Sequence, residues 1–173
     1  MLSKATTSLF LNANKLLKFF GSENILYFSR NSIDHIIDNI YLGDYRCASN
    51  HSLLKQNEIK YIINCSKHVP CLFKDDFEYL ELELEDNSKQ EIGEAIQKAL
   101  EFIKPDGNVF IHCKMGVSRS ASIVLAYLMK NYLMDYDQAF YYTKEKREVI
   151  LPNENFKEQL ISYYTIICIQ NDN

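Results

Sequence analysis

VFIHCKMGVSRSAS, running from Val109 to Ser122, is the stretch from which the rest of this chain can be read. Val109-Phe110-Ile111 is a short apolar run, the pattern of a buried strand. It ends at His112-Cys113. A tight loop follows, Lys114-Met115-Gly116-Val117-Ser118, and Arg119 closes it. Ser120-Ala121-Ser122 then opens an apolar helix through Ile123-Val124-Leu125-Ala126-Tyr127-Leu128-Met129. A strand, a loop too short for side chains to fill and a helix N-terminus together make an anion cradle. Backbone N–H groups point inward, and the positive end of the helix dipole faces the hole. Cys113 lies at its base and Arg119 at its rim. Donors that favour a bound phosphate also favour a thiolate, so Cys113 is expected to be a reactive thiol. A Cys–Arg pair at this spacing is a weak signal alone. Requiring His before the Cys, Gly at the third loop position and Ser after the Arg lowers the chance of coincidence below roughly one in ten thousand. The bland alternative is a buried structural Cys beside a core His.

HCKMGVSRS resembles the signature of the cysteine-dependent protein phosphatases: His, Cys, five residues, Arg, Ser. Tyrosine-specific members usually carry Thr-Gly after the Arg. Ser120-Ala121 here is similar to the dual-specificity branch. The likeness continues in order through Tyr41-Leu42-Gly43, Leu84-Glu85-Asp86-Asn87, Ala126-Tyr127-Leu128-Met129 and Pro152-Asn153. It covers Ser32 to Tyr164 and extends to the catalytic domains of MAP kinase phosphatases. The resemblance implies a protein-tyrosine-phosphatase-like fold: an α/β domain with a central mixed, mostly parallel sheet flanked by helices on both faces.

With 173 residues, the chain has room for one domain with a single sizeable core. It is 47% hydrophobic and 24% charged, an ordinary globular balance. A net charge of −4 argues against a general nucleic-acid binder. No apolar run approaches a membrane span. Five cysteines, at positions 47, 65, 71, 113 and 168, show no C-x-x-C spacing, and no secretory signal precedes them. They read as reduced thiols in a reducing compartment, with neither a disulfide framework nor a zinc site expected. A cytoplasmic location follows, with the nucleus as an alternative.

Residues 1–30 stand apart as an N-terminal extension, and 31–170 form the catalytic domain. The extension has no acidic residue before Glu23, and Leu2, Ala5, Leu9, Ala13, Leu16 and Phe20 recur at helical spacing. An amphipathic, acid-poor helix over Met1–Phe20 reads as a mitochondrial targeting segment or as a helix packed on the domain or a partner. No Arg precedes Arg30, which counts against targeting.

Ile33–Gly43 is a strand-rich entry, and Gly43-Asp44 turns the chain. Ser49 is expected to cap a short helix through Gln56. Lys60–Asn64 reads as a strand and Cys65–Pro70 as a loop. Phe77–Asp86 alternates, with Leu80, Leu82 and Leu84 on one side and Glu81, Glu83 and Glu85 on the other. This is a half-buried strand, and its Glu row suits an exposed sheet edge better than a metal site. Ser88-Lys89-Gln90-Glu91 has the form of a capping box before a helix whose inward face is Ile92, Ala95, Ile96, Ala99, Leu100 and Ile103. Pro105-Asp106-Gly107 ends that helix. Asp135 or Asp137 caps the next, which runs to about Arg147. Its basic end, with Lys144, Lys146 and Arg147, complements the helix dipole or forms a docking patch for an acidic or phosphorylated partner. A last helix, containing Phe156, Leu160 and Ile167, follows Pro152-Asn153.

By chemistry and resemblance together, Cys113 is the expected nucleophile, forming a phosphocysteine. Arg119 clamps two phosphate oxygens through its planar fork. N–H groups of Lys114, Met115, Gly116, Val117, Ser118 and Arg119 hold the remaining charge. Ser120 donates to the Cys113 sulfur. Asp86 ends a strand at the same edge and matches the family's acid position; Asp75 and Asp76 are its rivals. His112 takes a supporting role against loop backbone, and Asn153 pins the loop or caps a helix. The resemblance makes the strands before Cys65 and Cys113 parallel neighbours, so Cys65 is a candidate redox partner. This chemistry requires no metal or cofactor.

The expected function is hydrolysis of phosphotyrosine, and of phosphoserine or phosphothreonine, on a protein substrate. The same fold also serves phosphoinositides, RNA 5′-phosphates and phosphoglycans. Lipid members carry extra Lys in the loop, and here only Lys114 does. A binding module without activity would lack the Cys, the Arg or the acid, and all three are present. The chain has no room for the kinase-binding domain of the larger MAP kinase phosphatases, so the physiological substrate stays open.

Overall fold

A computed structural model describes residues 32–171. The expectations for residues 1–30 lie outside them. Five strands form one sheet: β1 (Asp34–Ile37), β2 (Ile40–Gly43), β3 (Ile59–Ser66), β4 (Glu78–Leu84) and β5 (Asn108–His112). Their order is β1-β2-β5-β3-β4. Only β1 and β2 pair antiparallel; the pairs β2–β5, β5–β3 and β3–β4 are parallel. The sheet is therefore mixed and mostly parallel, as expected.

Alternation along β5 sends its side chains to two cores. Val109 and Ile111 join one cluster, and Phe110 joins the other. The larger cluster holds α3 (Gly93–Phe102), α4 (Arg119–Tyr132), α5 (Tyr136–Lys146) and α6 (Glu154–Asn171). The smaller lies under α1 (Tyr45–Ala48) and α2 (His51–Gln56). Helices thus cover both faces. The central α4 is apolar almost all round because it packs on β5, β2 and β3 and against α3, α5 and α6. Among the described residues, no helix is long and apolar enough to cross a membrane.

Several local expectations change. Cys65 and Ser66 belong to β3 and not to a loop. Ser66 pairs with Leu84 of β4, while the pairing with β5 ends at Asn64, an extension that a polar sequence hides. The cap of α2 is Asn50, whose side chain accepts from Leu53 N–H at 3.1 Å. Ser49 is already committed: it closes α1, and its hydroxyl donates to the Tyr45 carbonyl at 2.7 Å. The capping box at Ser88 does not form, since α3 starts at Gly93 after Ile92, with no side-chain cap. A tertiary contact replaces it, with Ile92 N–H donating to Gln159 Oε1 at 2.9 Å. Gln90 is held by α6, its carbonyl accepting from Asn155 and Gln159.

Other expectations hold. Asp135 caps α5 in a capping box with Gln138. β4 is an edge strand, and Leu80, Leu82 and Leu84 all pack on the larger core. Its alternation breaks at Glu83, whose φ of 50° marks a bulge between the Asn64–Glu81 and Ser66–Leu84 pairings. Glu78, Glu81 and Glu85 pair with Lys104, Lys74 and Lys67, which fits a solvated edge.

Candidate active site

β5 lies between β2 and β3, so the loop after it emerges between the carboxyl ends of two parallel neighbours. Ligands of open α/β sheets bind in such crevices. Cys113 follows β5 directly and is 1% exposed. Its Sγ accepts from Gly116 N–H at 3.2 Å and from Ser120 Oγ, also at 3.2 Å. Both contacts were expected of these residues, and both favour negative charge on sulfur.

The loop shape follows from where its carbonyls go. Lys114 O accepts from Tyr45 N–H at 3.3 Å, and Val117 O from Leu151 N–H at 2.8 Å. Gly116 O accepts from Arg147 Nε at 2.8 Å, and Met115 O from Arg147 Nη2 at 3.4 Å. Ser118 O accepts from Ser122 N–H at 2.8 Å, within α4. In a trans peptide the carbonyl and the next N–H point opposite ways. Every carbonyl from Lys114 to Ser118 is therefore engaged outside the loop, and the N–H groups of Met115 to Arg119 turn inward. Gly116 makes this possible. Its φ is +66°, and a Cβ there would sit 2.5 Å from the Gly43 carbonyl oxygen.

Arg119 opens α4 one residue earlier than the sequence suggested, and it is 8% exposed. Its Nη1 donates to Ser66 Oγ at 2.8 Å and to Leu84 O at 3.3 Å. Its buried Nε has no hydrogen-bond partner among the described residues. The nearest carboxylate oxygen, Asp86 Oδ2, is 3.6 Å away. A buried cationic N–H held at a cradle mouth suits an anionic ligand.

Asp86 leaves β4 and hangs over the loop. Ser118 Oγ and Asn153 Nδ2 donate to its Oδ1, at 2.8 and 2.7 Å. Oδ2 is the oxygen turned toward Arg119. The rivals lie elsewhere: Asp76 is exposed and pairs with His51 and Lys55. Asn153 serves both roles left open by sequence, since its Oδ1 also accepts from Phe156 N–H at 2.9 Å in the first turn of α6. His112 is fully buried, stacks on Phe110, and places Nδ1 3.3 Å from the Cys113 carbonyl. Burial pushes its pKa down to about 4, so the ring is neutral at pH 7.

Cys65 lies on β3 beside this site. The parallel register pairs Asn64 with His112, which brings the next residues, Cys65 and Cys113, side by side. Burial, with the Cys113 charge added, pushes the Cys65 thiol well up.

Arg147 corrects the docking reading. It is 3% exposed and bound to the loop carbonyls, and Nη1 pairs with Asp34 Oδ2 at 2.6 Å. Burial removes it from any docking patch. Lys144 is half-buried and donates to the Ile150 carbonyl, so of these residues Lys146 is the exposed one. Ser66, Asp34 and Arg147 all bear on the site and were missed. Their partners lie 31 to 113 residues away in sequence, and no local pattern marks them.

Residues 40–166 match the family described as the dual specificity phosphatase catalytic domain. Protein phosphatase Slingshot of Drosophila melanogaster is 38% identical over 132 residues, which cover 74% of this chain and 13% of the relative. Dual specificity protein phosphatase 1 of Homo sapiens is 37% identical over 132 residues, 74% of this chain and 36% of the relative. The chain therefore spans well under half the length of these curated relatives. Among solved structures, the human tyrosine phosphatase-like serine/threonine/tyrosine-interacting protein superposes with a TM-score of 0.75 at 33% identity. That match covers 80% of this chain and 99% of the other. A family match over most of the sequence, laid on a cysteine-based anion cradle at the carboxyl end of a parallel sheet, shows that this chain belongs to the dual specificity phosphatase family.

Proposed function

We propose that this protein hydrolyses phosphotyrosine, and phosphoserine or phosphothreonine, on protein substrates through a phosphocysteine at Cys113. One observation carries the reading: Gly116 N–H and Ser120 Oγ converge on a buried Cys113 sulfur, while Asp86 stands over the same loop. In the first step the Cys113 thiolate attacks phosphorus, an S–P bond forms and the ester P–O bond breaks. Arg119 and the inward N–H groups hold the phosphoryl oxygens. The leaving oxygen takes its proton from Asp86, carried on Oδ2 because Oδ1 already accepts from Ser118 and Asn153. In the second step Asp86, now a carboxylate, takes a proton from water. The resulting hydroxide equivalent attacks phosphorus and the S–P bond breaks. Ser120 donates to the departing sulfur, and inorganic phosphate leaves.

Cys65 gives the site a further role as a trap for oxidised Cys113. Peroxide converts the Cys113 thiolate to sulfenic acid, and the Cys65 thiol displaces water to form a disulfide. The strand register supports this pairing. The five cysteines are all free thiols, which supports a reducing, cytoplasmic setting. Lys146 is the exposed cation retained for docking an acidic partner.

The test is a panel of the purified protein against phosphotyrosine and phosphothreonine peptides, phosphoinositide, RNA 5′-phosphate and phosphoglycan, each with and without vanadate. Vanadate-sensitive turnover of the peptides is expected. Turnover confined to a non-protein substrate moves the function to that class. Binding of phosphopeptide with no turnover of any substrate makes the protein a recognition module.

A further inference from the structure

The peptide unit between Met115 and Gly116 has one end on Arg147 and the other on Cys113. Its carbonyl accepts from Arg147 Nη2 at 3.4 Å, and its N–H donates to Cys113 Sγ at 3.2 Å. The next unit repeats the arrangement on one side. Its carbonyl, Gly116 O, accepts from Arg147 Nε at 2.8 Å, and its N–H, on Val117, faces the cradle. We propose that Arg147 is a positioning residue that sets the anion cradle in its receptive state, acting through these two peptide units on Cys113 and on the phosphate. The inference rests on the phosphatase reading only for the name of the anion; the carbonyl contacts and the Gly116 N–H on the Cys113 sulfur stand without it.

Three arguments support it. The first is geometric. A planar guanidinium offers N–H groups in fixed directions, and Arg147 uses Nε, Nη1 and Nη2 on three acceptors at once. Lys carries its three donors on one nitrogen and cannot reproduce the spread of Nε, Nη1 and Nη2 over two successive carbonyls and a carboxylate. The second is electrostatic. A cation on the carbonyl side of a peptide polarises it, and hydrogen bonds in a chain strengthen one another, so each N–H on the far side becomes a better donor. The third is steric. Gly116 sits at φ +66°, and a Cβ there would lie 2.6 Å from Arg147 Nη2. Loop backbone and guanidinium are thus packed against each other, with no room for a side chain at position 116.

Asp34 completes the device. Its Oδ2 holds Arg147 Nη1 at 2.6 Å, and its Oδ1 accepts from Ser32 Oγ at 3.0 Å. A buried Arg without a partner would be costly, and Asp34 supplies the compensating charge while leaving Nε and Nη2 for the loop. The loop is therefore fixed from outside the site by β1 and by the turn after α5.

Arg147→Lys and Asp34→Asn separate positioning from plain stability. Three measurements are made on each folded variant of the full chain: thermal midpoint, vanadate affinity by calorimetry, and the rate of iodoacetate alkylation of Cys113 at pH 6. Asp34→Asn removes the ion pair and Arg147→Lys weakens its geometry, so both should melt earlier. Arg147→Lys should also lose about 10- to 100-fold in vanadate affinity and alkylate more slowly. Asp34→Asn keeps Arg147 on the carbonyls, so its losses in both site readouts should be smaller. Wild-type vanadate affinity and alkylation in Arg147→Lys would overturn the proposal. Equal losses in the two variants would also overturn it, because the effect would then belong to the ion pair. If Arg147→Lys does not fold, Arg147→Gln, which keeps two N–H donors without the charge, is read by the same criteria. None of these readouts needs turnover, so an inactive protein with an Arg147-dependent cradle would sink the phosphatase reading and leave this one standing.

Discussion

Asp86 is the residue on which the proposed chemistry turns twice, once as acid and once as base. Ser118 and Asn153 fix its Oδ1, and that fixation orients Oδ2 toward the phosphate side of Arg119. Asp86→Asn keeps size and polarity. On phosphotyrosine peptide it should slow the first step by about 10²–10⁴. On an aryl phosphate with strong electron-withdrawing groups the leaving oxygen needs no proton, and burst phosphorylation should change little. Equal slowing of both bursts would remove Asp86 from the role of acid. His112 makes a different prediction. Its pKa falls from 6.5 to about 4 on folding, so between those values the unfolded chain binds the proton and the native chain does not. Its contribution to stability is complete above pH 6.5, declines as pH drops toward 4, and is flat below. The loss at the low end is up to about 3 kcal/mol. Urea unfolding at pH 7 and at pH 4.5 should show a smaller acid penalty in His112→Gln than in wild type. An identical penalty would show that other groups account for the acid sensitivity.

At the scale of elements, the sequence carried the strands and helices wherever hydrophobic period decides them. Val109–Ile111, the Leu80-Leu82 alternation before the bulge at Glu83 and the Ile92–Ile103 face all fold as their spacing dictates. Termini were less legible because polar side chains there have several backbone groups within reach. Ser49 and Ser88 both fit a capping pattern and neither caps the helix that follows it. One is engaged by the preceding helix; the other is bypassed by a contact between Ile92 and Gln159, which are 67 residues apart. This predicts an ordering. Asn50→Ala should cost about 1 kcal/mol, the usual value of an N-cap. Ser88→Ala should cost less than half of that, because no helix end depends on it. Chemical denaturation of the two variants checks the order, and a larger loss at Ser88 would contradict the assigned caps.

Over the whole molecule, the site was legible to the extent that it is local. Cys113, Gly116, Arg119 and Ser120 lie in one short segment, and Asp86 ends a strand of recognisable pattern. Ser66, Asp34 and Arg147 were not legible, since only sheet order and the return of the chain after α5 bring them to the loop. Sheet order also sets the redox proposal, because β3 and β5 must be neighbours for Cys65 to meet Cys113. After mild peroxide, peptide mapping should find a Cys65–Cys113 disulfide, and Cys65→Ala should over-oxidise faster at Cys113. Over-oxidised Cys113 with no link in the wild type would end that idea.

The covalent intermediate is the centre of the mechanism, and Asp86→Asn offers a way to collect it. With an activated aryl phosphate the first step stays fast without the acid, while the second lacks its base and slows. Acid quench on the burst timescale, followed by intact mass and peptide mapping, should find one phosphoryl group on Cys113, and none in the Cys113→Ser variant. Release of phosphate with no covalent protein species, or a phosphoryl group on any other residue, would contradict a phosphocysteine mechanism.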